Sequence, residues 1–183
     1  SGAFTYPVMS GFKWQRHYFA ASASPITPGQ VAVGEIVAVG LRFIPEALLF
    51  WLALVWFGGV TAPASVLMVL IAPLAALAFG APLMAFAATQ TDEGSQFAFI
   101  QRFIVMPMFL FAGTFFPLSA MPTYLQWIGW ISPMWHGTQL ARVVGFGMTN
   151  PWWLTWLHLL VLVVAAGGGI VASARLFERR LTR

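Results

Sequence analysis

Residues Phe97–His136 read FAFIQRFIVMPMFLFAGTFFPLSAMPTYLQWIGWISPMWH, and the architecture turns on how this stretch ends. Its first half, FAFIQRFIVMPMFLFAGTFF, is an apolar run of the length a helix needs to cross a bilayer core of about 30 Å. An ordinary span would then leave the membrane into a polar loop. Here the chain stays apolar, gathers Trp127, Trp130 and Trp135, and is broken by Pro117, Pro122 and Pro133. Irregular backbone at membrane depth is tolerated only where protein or a water-filled cavity satisfies its polar groups. The stretch therefore predicts a span over 97–116 followed by a re-entrant outer segment over 117–136, a feature that fits transport better than simple anchoring.

Composition places the rest of the chain in the same environment. Hydrophobic residues make up 60% and charged ones 8% of 183 residues, where a soluble domain carries about 25% charged residues. Mean hydropathy is +0.82. The formal charge of +4 is too sparse for a nucleic-acid surface, and 0 cysteines exclude a disulfide framework and any thiolate metal site. The chain opens at Ser1 with neither a methionine nor a signal-peptide pattern, so it is expected to be a fragment of a longer protein.

The fold class expected is all-α, a polytopic integral membrane helix bundle. Four spans are predicted, at about 36–58, 64–88, 97–116 and 152–176, within a transmembrane domain over 28–183. Residues 1–27 form a connecting segment. Lys13, Arg16 and His17 precede the first span, and Arg175, Arg179, Arg180 and Arg183 follow the last, while Arg142 is the only basic residue in the opposite loops. The positive-inside rule then puts both ends of this chain in the cytoplasm. Thr27-Pro28-Gly29-Gln30 reads as a capping box with proline at the first helical position, and Asn150-Pro151 introduces the last span. Pro45, Pro73, Pro82 and Pro107 fall inside spans, where neighbouring helices can satisfy the freed carbonyls. Ala165-Ala166-Gly167-Gly168-Gly169 offers a small-residue surface for close packing, within the subunit or across a dimer.

The rare polar groups are the candidates for mechanism. Glu35, Arg42 and Glu46 lie within about 40° of one another on one helical face. Arg42 and Glu46 are spaced to pair, and Glu46 falls about 15 Å along the span. The pair either orients its helix by self-neutralisation or lines a translocation route or subunit interface. Arg102 lies just past a loop holding Asp92 and Glu93, so it either snorkels to that surface or pairs with those acids. His136 and His158 lack the neighbours that a metal or catalytic site needs in sequence, and each reads as a hydrogen-bonded structural histidine. With no second buried carboxylate or histidine at helical spacing, no proton relay is predicted.

Before the first span, GFKWQRHYFAASASPITPGQ interleaves Lys13, Arg16 and His17 with Phe12, Trp14, Tyr18 and Phe19. Such a segment suits an amphipathic helix on the cytoplasmic face, either as an anchor or as a docking helix for a partner. No GxxxxGKS loop, HExxH or GxSxG occurs, so ATP is not bound here by that route and these hydrolytic motifs are absent.

These motifs, in this order, resemble the permease subunits of type-2 ABC exporters, the group of the nodulation-factor and daunorubicin-resistance permeases. KWQRHYFAASASPITPGQVAVGE resembles the family's cytoplasmic connection between its second and third spans, ending in Gly34-Glu35. FIQRFIVMPMFLFAGTFFPLSAMP resembles its fifth-span signature through Pro107, Gly113, Phe115, Phe116, Pro117, Met121 and Pro122, with Ala112 where serine is usual. Ser132-Pro133, His136 and Arg142 resemble the ending ahead of the sixth span.

The resemblance implies a six-span permease of which this chain holds spans three to six. It also implies a dimer with a second copy or paralogue, and a cytoplasmic ATPase that binds ATP and Mg, with no cofactor on this chain. Phe12, Lys13, Trp14, Arg16, His17 and Tyr18 would couple to that ATPase. Pro107, Gly113, Phe116, Pro117, Pro122, Pro133 and His136 would belong to the re-entrant gate. The function expected is export of an amphipathic, drug-like, glycolipid or polysaccharide-type cargo across the plasma membrane by alternating access. An ion-coupled carrier would show broken spans in both halves, and a membrane enzyme would show converging nucleophile, base or metal ligands. Those are the alternatives.

Overall fold

The computed structural model describes residues 26–89 and 95–181, with Phe4, Val8 and Ser10 from the N-terminal stretch. Helix α1 (Pro28–Trp56) starts where the capping box predicts, earlier than Ile36. Thr27 N–H donates to Gln30 Oε1 at 2.9 Å, and Gln30 N–H donates to Thr27 Oγ1 at 3.3 Å. The helix ends on Gly58, at φ +66°, with Gly59 N–H reaching back to the Leu54 carbonyl at 2.7 Å. That six-to-one bond over a left-handed glycine is a Schellman end, which glycine supports at no steric cost.

A 3-10 turn over Pro63–Leu67 leads into α2 (Met68–Thr89). After residues 90–94, outside the described part, come α3 (Ser95–Ile100), a π-helical turn over Gln101–Val105 and α4 (Met106–Leu110). A 3-10 turn over Leu118–Ala120, α5 (Thr123–Ile131), α6 (Pro133–Phe146) and α7 (Trp152–Leu181) complete the chain. Among the described residues there is no strand. Three helical stretches are long and apolar enough to cross a membrane: 28–56, 63–89 and 152–181.

The stretch predicted as a span over 97–116 differs from them. Its helix stops at Leu110, because the chain turns through Gly113 at φ +75°, and the apolar helix 98–110 is shorter than the other three. The π turn ahead of Pro107 was not predicted; in it Met106 N–H bonds the Gln101 carbonyl, five residues back. The outer segment is also longer than 117–136. It is a helical hairpin, α5 and α6, that runs to Phe146 and ends on Gly147 at φ +66°.

Helix α2 is the central post. It has no charged residue, and ten of its residues are buried against four on α1; a helix apolar all round belongs inside a bundle. At one end Ala32, Ile36 and Val39 of α1 meet Ala81, Met84 and Ala88 of α2 and Phe177 of α7, with Phe4 and Val8 added. A second cluster joins Ala78, Leu140, Leu162 and Ala166, from α2, α6 and α7. The first end, which holds Thr27 and Leu181, is called proximal below, and the end with the loops at Gly58 and Gly147 distal.

Close approach between α7 and α2 rests on small residues. A Cβ on Gly169 would come within 2.6 Å of the Pro82 ring, and Ala166 is buried on the same face. Gly167 and Gly168 look outward, with nothing within 4 Å. Ala165, Ala166 and Gly169 of the small-residue run thus pack inside the subunit. Ser173 Oγ donates to the Ala81 carbonyl at 3.1 Å, and Arg180 Nη1 donates to the Ala88 carbonyl at 2.7 Å. The second bond sets a cation at the C-terminus of α2, where the helix dipole favours positive charge.

Candidate functional site at the re-entrant hairpin

The hairpin enters the bundle from the distal end. A Cβ on Gly145 would meet Met68 at 2.7 Å, and one on Gly137 would meet Ala75 at 2.5 Å, so α6 runs antiparallel along the first turns of α2. Those contacts are seven residues apart on α2, a penetration of about 10 Å. At the distal rim, Thr61 and Ala62 N–H groups donate to the Gly145 carbonyl at 3.1 and 3.3 Å. On the other arm Leu118 is buried over Gly129, where a side chain would collide with it at 2.6 Å.

Three side chains bind this hairpin to its surroundings. Arg142, on α6, donates through Nη2 to the carbonyl of Gly113, and Trp135 covers the same glycine. His136, in the first turn of α6, reaches the Trp130 carbonyl through Nε2 at 2.9 Å. Its Nδ1 lies 2.7 Å from Nδ1 of His158, in the second turn of α7. The two imidazoles are 5% and 1% exposed. The Trp135 ring stands edge-on to both, at centroid distances of 5.0 and 5.1 Å.

The histidines read singly in the sequence are therefore one pair. They are hydrogen-bonded to each other, and His136 also to the Trp130 carbonyl; the pair is made across two helices and not at helical spacing. The pairing is invisible locally, because the residues belong to different helices, 22 positions apart. Among the described residues no group of three His, Cys, Asp or Glu could hold a metal.

Beside the hairpin lies a cavity of about 790 Å³. Phe43, Phe50 and Trp51 of α1, Phe79 of α2, Phe109 of α4 and Met134 of α6 wall it, with Gln101, Thr114 and Thr138 as its neutral polar groups. Among the described residues no charged side chain lines it. Such a space accepts an apolar body and offers few directional contacts.

The other sequence candidates are placed as follows. Arg42 Nε and Glu46 Oε1 are 3.4 Å apart, so the predicted pair forms, but on the outer surface of α1, 74% and 54% exposed. Glu35 is half-buried on the same helix, and Arg102 is exposed in the π turn. Pro107 opens α4, Gly113 makes the left-handed turn, Phe116 lies in the bend after it and Pro117 precedes the next 3-10 turn. Pro122 and Pro133 open α5 and α6. Phe12, Lys13, Trp14, Arg16, His17 and Tyr18, and the acids Asp92 and Glu93, lie outside the described residues.

Comparison with known proteins gives a consistent result. The profile of the family described as ABC-2 type transporter matches residues 3–146. Two curated proteins, each described as a probable multidrug ABC transporter permease YbhR, come from Escherichia coli (strain K12) and Escherichia coli O157:H7. Each is 30% identical over 161 residues, covering 83% of this chain and 42% of its own length. The chain thus spans less than half of these relatives. No solved structure matches.

Proposed function

This chain belongs to the ABC-2 type transporter family, and on that premise we propose that it is the membrane-spanning core of an ATP-driven exporter of amphipathic, drug-like molecules. It is a multi-pass membrane protein and a transport subunit rather than an enzyme. One observation carries the reading: the family match runs unbroken from the segment before α1 to the end of the hairpin.

In this reading a cytoplasmic ATPase binds ATP and Mg and docks on the segment around Phe12 to Tyr18, with the proximal end in the cytoplasm of a plasma membrane. A second copy or a paralogue completes the transporter. Nucleotide binding in the partner favours one of two states, and the permease makes different contacts in each, which alternating access requires. The aromatic, uncharged wall of the 790 Å³ cavity supports an apolar body for the cargo. The relatives' description as multidrug permeases supports a drug-like one.

The test starts from the full-length protein purified from membranes. A stoichiometric ATPase should accompany it, and replacing Trp14 and Arg16 by alanine should uncouple cargo movement from ATP hydrolysis while leaving membrane insertion intact. Unchanged cargo-stimulated hydrolysis in that variant removes the docking segment. Transport down an ion gradient, with no ATPase in the preparation, establishes a secondary carrier instead.

A further inference from the structure

The His136–His158 pair is built from groups whose proton positions follow from their partners. The Trp130 carbonyl can only accept, so Nε2 of His136 carries hydrogen. A neutral His136 then presents a bare Nδ1, and the 2.7 Å contact requires His158 to donate from its own Nδ1. One hydrogen therefore lies between the rings, and His158 Nε2 is left with a lone pair. That nitrogen is where a further proton enters. With one added proton the bond between the rings survives, but the pair becomes a cation. With two, N–H faces N–H and the contact cannot stand.

Among the described residues the surroundings offer such a cation no counter-charge. On α6 the nearest ionisable group is Arg142, itself positive and bound to the Gly113 carbonyl. On α7 the next is Arg175, far towards the proximal end; α2 has no titratable side chain, and α5 has only Tyr124, which is exposed. Around the pair are the edge of Trp135 and the apolar cluster of Ala78, Leu140, Leu162 and Ala166, the last three of which join α6 to α7. A charge placed there is drawn towards water or towards a partner it does not have.

We propose that the His136–His158 pair is a proton-binding site, and that its occupancy decides whether the re-entrant hairpin stays attached to α7. In the neutral state the pair latches α6 to α7 through one buried hydrogen bond. Protonation of both rings sets N–H against N–H, and the hairpin parts from α7 so that the imidazolium groups reach water. The ligand is a proton, and neither ring lines the apolar cavity.

The chain has 0 cysteines, so labels can be placed without removing native thiols from this region. Spin labels at Ile131, on the hairpin, and Val164, on α7, use positions that are 64% and 62% exposed. The label-to-label distance would be measured in full-length protein in lipid nanodiscs, with its ATPase held in one nucleotide state. The expected result is a lengthening as pH falls from about 8 to about 4, a range wide enough to protonate a buried imidazole as well as an exposed one. His158→Asn should abolish that change, because an amide supplies either a donor or a carbonyl towards His136 and keeps the contact in both protonation states. His136→Gln, which retains a donor for the Trp130 carbonyl, should abolish it too and serves as the second variant. A distance that does not move with pH in the wild type overturns the proposal. So does a pH response of equal size in the wild type and in a folded variant.

Discussion

Arg42 and Glu46 lie one helical turn apart on the outer face of α1, whereas His136 and His158 come from different helices and meet where α6 packs on α7. The first pair sits among exposed Leu41, Leu48 and Leu49, and the second among buried Leu140, Leu162 and Ala166. Both are polar islands in an apolar chain, yet only the buried one has its geometry imposed by its neighbours. An exposed ion pair on a membrane-facing helix is held by its own one-turn spacing alone, and Arg42 can snorkel towards water when its partner is lost. A buried pair is held because removing either ring strands the other. The difference teaches where substitution should hurt: in the seam of α2, α6 and α7, and much less on the outer face of α1.

The severest way to break that contrast is Gly169→Val, which drives a branched side chain into the Pro82 ring and Ala81. Overpacking of this kind should cost about 3 kcal/mol or more, read as a lost or strongly lowered thermal unfolding midpoint in detergent. An unchanged midpoint would mean that α7 does not seat on α2 as described. His158→Leu comes next. It leaves Nδ1 of His136 buried without its partner and should lower stability by about 2 kcal/mol, whereas His158→Asn should retain most of it. Equal losses in the two variants would reduce the histidine bond to simple space-filling. The smallest effect should be that of Glu46→Gln, below about 1 kcal/mol in the isolated chain. A larger loss seen only in the assembled transporter would put this face of α1 at a subunit contact and narrow the contrast.

How legible these features were follows the same division. The capping box at Thr27 and the Arg42–Glu46 spacing are local, and both could be read from a few consecutive residues. Spans 64–88 and 152–176 lie inside helical stretches 63–89 and 152–181, and span 36–58 overlaps 28–56 except at its last two residues, because long apolar runs leave few alternatives in a membrane. The third run misled by its composition. Phe111 to Phe116 are as apolar as the helix before them, and only the left-handed backbone at Gly113, locked by Arg142 and Trp135, takes the chain off the helical path. In sequence Arg142 stands out as a lone basic residue of the outer loops and as part of the resemblance ahead of the sixth span, and neither reading shows that it fastens the hairpin to that turn. The histidine pair depends on how α6 docks against α7, and no local period encodes it.

Helix α2 has a mechanical consequence for this arrangement. Its proximal tip is held by Arg180 at the Ala88 carbonyl, its middle by Ser173 at Ala81, and its distal turns by Gly137 and Gly145 at Ala75 and Met68. Pro82 lies between the first hold and the hairpin, and Pro73 lies between the two hairpin holds. Each proline removes one rung of the helical ladder and softens the rod at that point. Helix α2 is thus a jointed connecting rod rather than a stiff one. A load applied at the Arg180 end would bend the rod first at Pro82 and Pro73, and so would tilt the hairpin about its seat rather than drive it along the membrane normal.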